Sequence, residues 1–430
     1  MNQKAKPELN RRDFLKNSSI TAMTMLMMGA IELKAEDKPK AAQEDEDEKI
    51  KNPIKCAVIG CGVWGREILS SLARIEGMPV VAICDTYEPM MNRAARSAPN
   101  AKKIADYKQV LDDKDVQAVI IATPSHMHKE IAVAALQAGK HVYCEAPIAT
   151  TIDDAKAIAT AAKNAKKQIF QAGLILRSNP IHKHVVQFVR TNALGTPVIS
   201  RAQFHKKQSW RVASPNAERE KAANWRLSKE TSLGLAGEIG IHHYDVTCWY
   251  YKTLPVAVNG FGEIIKWKDG RDVADTIQTI LEFPGGLKQV YDATLANSFE
   301  GSYEIHFGTD AAIYIRDSRA WIIKETDAPL LGWEVYARKE DFLPSKESGI
   351  TLVANATKLL AQGKEPAETT PDTDSPLFYA MKEFGLSIDK NTQPGANFEA
   401  AFTSAVIAIK TSEAINGNKR VELPKELFEI

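Results

Sequence analysis

Ile54 to Ile59 is a near-continuous apolar run of strand length that leads straight into Gly60-Cys61-Gly62-Val63-Trp64-Gly65, and a helical pattern of Ile68, Leu69, Leu72 and Ile75 follows. Three glycines at this spacing mean little alone. Placed between a strand and a helix, they dictate a βαβ unit that holds a dinucleotide. Gly60 permits the tight turn, Gly62 lets the backbone approach a pyrophosphate, and Gly65 lets the helix pack closely on the strand. The helix start, at Val63 and Trp64, offers free N–H groups and the positive end of its dipole to phosphate. A second buried run, Val80 to Cys84, ends on Asp85. Asp85 lies about twenty residues beyond Gly65, where an acid takes the adenosine ribose hydroxyls. Its charge repels a 2′-phosphate, so the expected cofactor is NAD in preference to NADP. The bland alternative is a glycine turn with a helix-capping Asp85; glycines, strand and acid in one register argue against it.

The alternation continues through strand-like runs at Ala118 to Ala122 and His141 to Cys144, with amphipathic helices between. This predicts an α/β domain with a doubly wound parallel sheet, a Rossmann domain. Ligands on such sheets sit outside the carboxyl ends of the strands. The loops at Thr123-Pro124-Ser125 and Glu145-Ala146-Pro147 are therefore expected to face the cofactor.

The chain has 430 residues, enough for two domains with proper cores. Its 44% hydrophobic and 25% charged residues match ordinary globular proteins. A formal net charge of +1 gives no global attraction for nucleic acid or an anionic membrane. Five cysteines form an odd set without C-x-x-C pairs, and read as buried thiols rather than a disulfide or zinc framework. His126/His128 and His182/His184 are H-x-H pairs, but helical spacing splits such neighbours onto different faces. No metal is expected.

The first residues read as a destination label. Arg11-Arg12-Asp13-Phe14-Leu15-Lys16 precedes a short apolar run from Ile20 to Ile31, the pattern of a twin-arginine signal peptide over residues 1–35. The run is too short to span a bilayer comfortably, so no stable membrane insertion is expected after cleavage. Residues 36–52 form a charged linker with almost no large apolar side chains. The expected location is periplasmic.

Several further runs carry a resemblance: Ala122-Thr123-Pro124-Ser125-His126-Met127-His128, Ala138-Gly139-Lys140-His141-Val142, Cys144-Glu145-Ala146-Pro147, Arg177-Ser178-Asn179-Pro180, Trp225-Arg226 and Glu238-Ile239-Gly240-Ile241-His242-His243-Tyr244-Asp245. In order and spacing the chain resembles the Gfo/Idh/MocA family. The resemblance implies an NAD-binding domain over 53–175. It also implies an α+β substrate and oligomerisation domain over 176–430, with a large open, mostly antiparallel sheet and C-terminal helices, Phe398 to Gly417, partly packing back on the Rossmann domain. Strand-like runs at Val256–Ile265, Thr276–Phe283, Leu287–Leu295, Tyr303–Phe307 and Ala312–Ile315 agree. The family further implies a carbohydrate substrate and a homo-oligomer formed through the open sheet. Cofactor contacts are implied at Gly60, Gly62, Val63, Trp64, Gly65, Asp85, Thr123, Pro124, His126, His128, Glu145, Ala146 and Pro147. Substrate contacts are implied at Arg177, Trp225, Arg226, His243 and Asp245.

Two departures matter. Family dehydrogenases carry Glu-Lys-Pro where this chain has Glu145-Ala146-Pro147, so the lysine that assists proton removal is missing. The family's Asp-x-x-x-His reads here as Glu238-x-x-x-His242. Glu238, His242 and Asp245 fall at i, i+4 and i+7 of a predicted helix, which places them on one face. A carboxylate beside an imidazole raises its basicity, so His242 is the expected general base, with Glu238 orienting it or acting in its place.

Outside the cytoplasmic membrane there is no NAD pool, so an exported enzyme must keep its cofactor bound and regenerate it in place. The preferred reading is an oxidoreductase acting on a sugar or glycoside hydroxyl with tightly bound, internally recycled NAD. A redox-neutral glycoside hydrolase working through a transient 3-keto sugar, and a non-catalytic NAD-binding protein, remain as alternatives.

Overall fold

Strands that read as unbroken apolar runs need cover on both faces, and the chain supplies it from both of its ends. The computed structural model describes residues 49–331, 334, 339–342, 347–352 and 374–430. The twin-arginine segment and most of the charged linker lie outside the described residues.

The first sheet contains β1 (Cys56–Ile59), β2 (Val80–Cys84), β3 (Lys102–Ile104), β4 (Ala118–Ile121), β5 (His141–Cys144) and β6 (Phe170–Ala172), all parallel, in the order β3-β2-β1-β4-β5-β6. Helices α1 (Val63–Leu72), α2 (Glu88–Ala94), α3 (Tyr107–Asp112), α4 (His128–Gln137) and α5 (Ile152–Asn164) connect them. The strand order reverses between β1 and β4, and the crevice at such a switch point is where doubly wound sheets bind ligands. Every residue of β1 and β4 is buried.

The second sheet has ten strands: β7 (Pro197–His205), β8 (Ala257–Glu263), β9 (Thr276–Glu282), β10 (Lys288–Thr294), β11 (Ser302–Gly308), β12 (Ala311–Arg316), β13 (Arg319–Lys324), β14 (Lys339–Phe342), β15 (Glu347–Leu352) and β16 (Arg420–Glu422). Their order is β14-β15-β13-β12-β11-β7-β10-β9-β8-β16, and among the described strands of this second sheet only β7 and β10 pair in parallel. The sequence reading missed β7, whose burial does not alternate cleanly along the strand. Helices α6 (Pro180–Arg190) and α8 (Ile241–Tyr251) pack on one face of this sheet through Val185, Val186, Val246 and Tyr250. A short helix, α7 (Ala217–Ala223), stands apart from the core.

The last two helices join the halves. α9 (Pro376–Lys390) buries Leu377, Ala380, Met381 and Phe384 against the β1–α1 side of the Rossmann sheet. α10 (Phe398–Gly417) lays Ala401, Phe402 and Ala405 on the opposite side, beside α5, and its far end buries Ile415 against β8. Asn397 caps α10 by accepting the Ala400 N–H, and Asn418 ends it in the left-handed conformation. One helix thus fixes the angle between the two sheets. All five cysteines are buried and unbridged. Burial pushes the thiols of Cys56, Cys61 and Cys84 up to about 12, which leaves them protonated and unreactive.

Candidate active site

The glycine turn follows β1 directly. Gly60 has φ +100°, and a Cβ there would lie 2.5 Å from the Ala122 carbonyl oxygen. A Cβ on Gly65 would run into the Gly60 carbonyl oxygen, so the helix rests on the strand with no room for a methyl group. Gly62 differs: a Cβ there would meet nothing within 4 Å, so its open face is free for a ligand. α1 has no side-chain cap, and Val63 and Trp64 in its first turn are exposed, so the orphan N–H groups of that turn look outward. Asp85 is braced at the end of β2, accepting the Cys61 N–H and the Tyr87 N–H, each at 2.8 Å.

Two loops form the next part of the cleft. Thr123–Pro124 follows β4, and Glu145–Ala146–Pro147 follows β5 with a cis peptide before Pro147. His128 ties them together from behind. Its Nε2 lies 2.9 Å from the Thr123 carbonyl oxygen and its Nδ1 3.0 Å from that of Pro147. The ring is buried, and burial lowers its pKa to about 4. His128, expected at the cofactor, sits behind the two loops, where the neutral ring has one N–H to donate to one of the two carbonyls and packs its other nitrogen against the second. His126 points the other way. It is exposed, and its ring stands 6.3 Å from Trp225 across the cleft.

Glu145 is buried with Oε1 lacking any partner, and Thr123 Oγ1 is likewise buried and unpartnered. Burial pushes the Glu145 carboxyl up to about 7, against hydrogen bonding from the Trp64 side chain and the Ala146 N–H and, more weakly, the Arg226 charge. Gly173, which the sequence reading passed over, lies beneath it, and a Cβ there would collide with Glu145 Oε2. Buried polar atoms left unpaired are costly and point to a missing partner. An open glycine turn, an uncapped helix start and two orphaned oxygens at the strand ends together fit a dinucleotide.

The facing wall comes from residues 225–245. The segment read as a regular helix contains a π-helical turn, Ala236–Gly240, before α8 begins. The wider i→i+5 turn changes the phase of the residues before it. Glu238 is therefore not paired with His242. Its Oε2 accepts Arg226 Nε–H at 3.0 Å, while Oε1 accepts the hydroxyls of Ser232 at 3.2 Å and Ser125 at 3.3 Å. The Ser125 bond crosses from the second domain to the Rossmann loop. Arg226 stacks on Trp225 at 4.5 Å, and its side chain remains 43% exposed. His242 is half-buried, and its Nδ1 has no partner. The gain in basicity expected from a paired carboxylate is absent: burial, helped by neighbouring His243, lowers the pKa of His242 to about 4, so the ring is neutral at pH 7 and a weaker base than a free imidazole.

Three expected substrate contacts are occupied elsewhere. Asp245 is buried and accepts both Arg177 Nε–H at 2.7 Å and Nη2–H at 2.9 Å, plus the Ser404 hydroxyl at 2.7 Å. Arg177 also donates to the Gly395 carbonyl and lies over Trp249. The pair joins α8 to the segment ending at Arg177, and through Ser404 to α10, with both Asp245 oxygens occupied in the free protein. His243 Nδ1 sits 2.5 Å from Glu304 Oε1 in a buried cluster with His182 and His306. Burial pushes the Glu304 carboxyl up, but the surrounding imidazoles outweigh it and hold the group well below the usual range. No local sequence signal marks Glu304, which is brought in by a strand sixty residues away. Among the described residues, no group of three or more His, Cys, Asp or Glu could hold a metal ion.

The chain is similar to known proteins in sequence and fold. A family described as "Oxidoreductase family, NAD-binding Rossmann fold" matches residues 54–173, and the GFO/IDH/MocA C-terminal domain matches 182–314, together more than half of the chain. A levoglucosan dehydrogenase from Pseudarthrobacter phenanthrenivorans is 27% identical over 261 residues, covering 55% of this chain and 65% of that protein. An inositol 2-dehydrogenase from Salmonella typhimurium is 32% identical over 148 residues, 34% of this chain and 44% of that one. The chain thus spans less than two thirds of the length of these relatives. In fold, a solved levoglucosan dehydrogenase in complex with NADH and levoglucosan superposes with a TM-score of 0.68 at 22% identity, covering 87% of this chain and all of that one. The turn, the strand order, the ten-stranded sheet and these matches lead to one statement: the chain belongs to the Gfo/Idh/MocA family of oxidoreductases, with an NAD-binding Rossmann domain at residues 54–173.

Proposed function

We propose that this protein is an NAD-dependent oxidoreductase of a sugar or polyol hydroxyl, and that it holds its cofactor tightly and recycles it in place. One observation carries the reading. The open Gly62 turn and the orphaned Glu145 Oε1 lie on the side of the Rossmann loops that meets a partly exposed cation, Arg226, whose partner Glu238 bonds Ser125 and whose charge reaches Glu145. The Gly60–Gly65 turn, Asp85 and Glu145 would hold NAD, which would supply the hydride acceptor. The chain's residues handle the proton and the charge. His242, neutral at pH 7 though a weaker base than a free imidazole, takes the hydroxyl proton through Nε2, since its Nδ1 is buried. Arg226, fixed through Nε by Glu238 and through its face by Trp225, presents its remaining N–H groups to the oxygen as negative charge develops there. Glu238 acts as the positioning residue for Arg226, and Ser125 keeps it in register with the Rossmann loop. A cation is thereby present although Ala146 stands where dehydrogenase relatives have lysine.

The twin-arginine segment supports export, and export favours a cofactor that does not exchange. The outer face of the ten-stranded sheet carries Ile199, Ile280 and Phe261 exposed on one side, which supports self-association through that face. Light scattering of the purified protein tests this, with a single-chain mass as the contrary result.

The functional test is to release any nucleotide by denaturation, then offer the native protein free sugars, polyols and simple glycosides while following NADH absorbance and products. NAD in the supernatant, and NADH bleached only when a second carbonyl compound is added, is the expected result. Aglycone release without NADH would assign the redox-neutral glycosidase instead.

A further inference from the structure

Residues 212–224 leave the second domain and return to it as a closed loop. Its neck is pinned by one side chain: the Val212 N–H donates to Asn224 Oδ1 at 2.8 Å, and Asn224 Nδ2 donates to the Val212 carbonyl at 3.1 Å. Asn224 is buried. Just before the neck, Arg211 pairs with Glu220 and donates to the Asp269 carbonyl at 2.7 Å, while Ser209 and the buried Arg271 both bond the Asp269 carboxylate. The base of the loop is therefore rigid.

Its tip has the opposite character. α7, capped by Asn216 through the Arg219 N–H, contributes no buried residue to any core and is tied to the base through the half-exposed Arg211–Glu220 ion pair, a contact that lifting of the loop breaks. What it contributes is Arg219, whose guanidinium lies 4.3 Å from the centre of the Tyr87 ring in the Rossmann domain. Tyr87 is two residues past Asp85 and donates its N–H to that carboxylate. The segment continues from the neck into Trp225 and Arg226, which face His126 and Glu238 at the other end of the cleft. One stretch of chain therefore runs along the cleft from the catalytic wall to the ribose-binding acid.

The geometry points to Tyr87 and Arg219 as a clasp over the adenosine end of the cofactor cleft, closed when they stack and opened by the 212–224 loop lifting about its Asn224 neck. This rests on the dinucleotide reading of the cleft. The contact joins two domains across the groove and is half-exposed, and breaking it uncovers only one face of the Tyr87 ring. Such a contact can open without unfolding anything. It slows departure of a bound dinucleotide more than it speeds arrival, because affinity differences of this kind appear chiefly in dissociation. A long-lived cofactor complex is what a protein working away from an NAD pool requires.

The test measures NADH dissociation from the full chain by chasing bound NADH with excess NAD and following its fluorescence, in wild type, Arg219→Ala, Arg219→Lys, Tyr87→Ala and the Arg219→Ala/Tyr87→Ala double variant. A half-exposed cation–π contact predicts release about twofold to fivefold faster in either alanine variant. The clasp further predicts near wild-type release in Arg219→Lys, and a double variant no faster than the faster single one. Trypsin cleavage within 212–224 should also slow when NAD is added. Unchanged release in both single variants, or effects that simply multiply, would overturn the clasp while leaving the cofactor site intact. Failure of wild type to bind NADH at all would overturn the cofactor site and the clasp together.

Discussion

The two walls of the cleft are built from different materials. The Rossmann wall offers backbone: a glycine turn, the uncapped start of α1, and loop oxygens braced from behind by His128. The opposite wall offers a charged side chain held by a partner, Arg226 by Glu238, with the buried pairs Arg177–Asp245 and His243–Glu304 supporting it from behind. Backbone donors keep their orientation without rotamer entropy and do not titrate. A wall made of them suits a ligand that never changes. Side-chain pairs can be re-aimed by single substitutions, which suits the wall that selects a substrate, but each pair is sensitive to loss of its partner and to pH.

The sharpest way to break this contrast is to remove one group from the side-chain wall at a time. His242→Ala should lower kcat by about a hundredfold to ten-thousandfold, the range of a lost general base, with Tm and NAD affinity unchanged. A fall in Tm instead would make His242 a packing residue. Arg177→Ala should do the reverse, costing about 3–5 kcal/mol of stability by leaving Asp245 buried without its charge partner, measured by guanidinium unfolding. A stable Arg177→Ala protein with a raised KM would return Arg177 and Asp245 to the substrate site.

Titration sharpens the comparison further. His128, His182, His184 and His242 have pKa values lowered from 6.5 to about 4, chiefly by burial. The folded state therefore binds fewer protons than the unfolded chain between these values, and stability present above pH 6.5 is lost as pH falls toward 4. Glu145 works in the other direction. Its pKa is raised from 4.5 to about 7, so its contribution is complete below pH 4.5 and is lost as pH rises to 7. With four groups against one, unfolding midpoints should fall on acidification, and Glu145→Gln should make the cofactor-free protein more stable at pH 8 but not at pH 4. A flat profile across pH 4–7 would contradict the burial assigned to these histidines. The smallest effect belongs to Gly62→Ala. A methyl group there meets nothing in the free protein, so Tm should hold while NAD binds about tenfold more weakly, read by calorimetry. Gly65→Ala, whose methyl strikes backbone, should lower Tm as well.

The Rossmann wall was legible because its functions are local. Gly60, Gly62, Gly65 and Asp85 each act through the conformation of a few neighbouring residues, and spacing along the chain is enough to reveal them. The other wall was legible only in part. The segment holding Glu238, His242 and Asp245 was recognisable, but their relation was not, because a π-turn at Ala236–Gly240 alters the phase that helical spacing assumes. Asp245 and His243 found partners, Arg177 and Glu304, that lie some sixty residues away in sequence. The polar face of His128 was hidden for the same reason: its acceptors are backbone carbonyls that carry no sequence signature. The loop over residues 212–224 went unread because a helix with no apolar face has no periodicity to detect.

The central claim is that one cleft joins a bound NAD to a sugar hydroxyl through His242. A single-turnover experiment tests it most directly: protein loaded with NAD is mixed with a panel of sugars and polyols, and NADH absorbance is followed in wild type and His242→Ala. The account predicts a burst of up to one NADH per chain with at least one substrate, lost in His242→Ala although NAD stays bound. An equal burst in both proteins, or none in wild type on any substrate with NAD demonstrably bound, would contradict it.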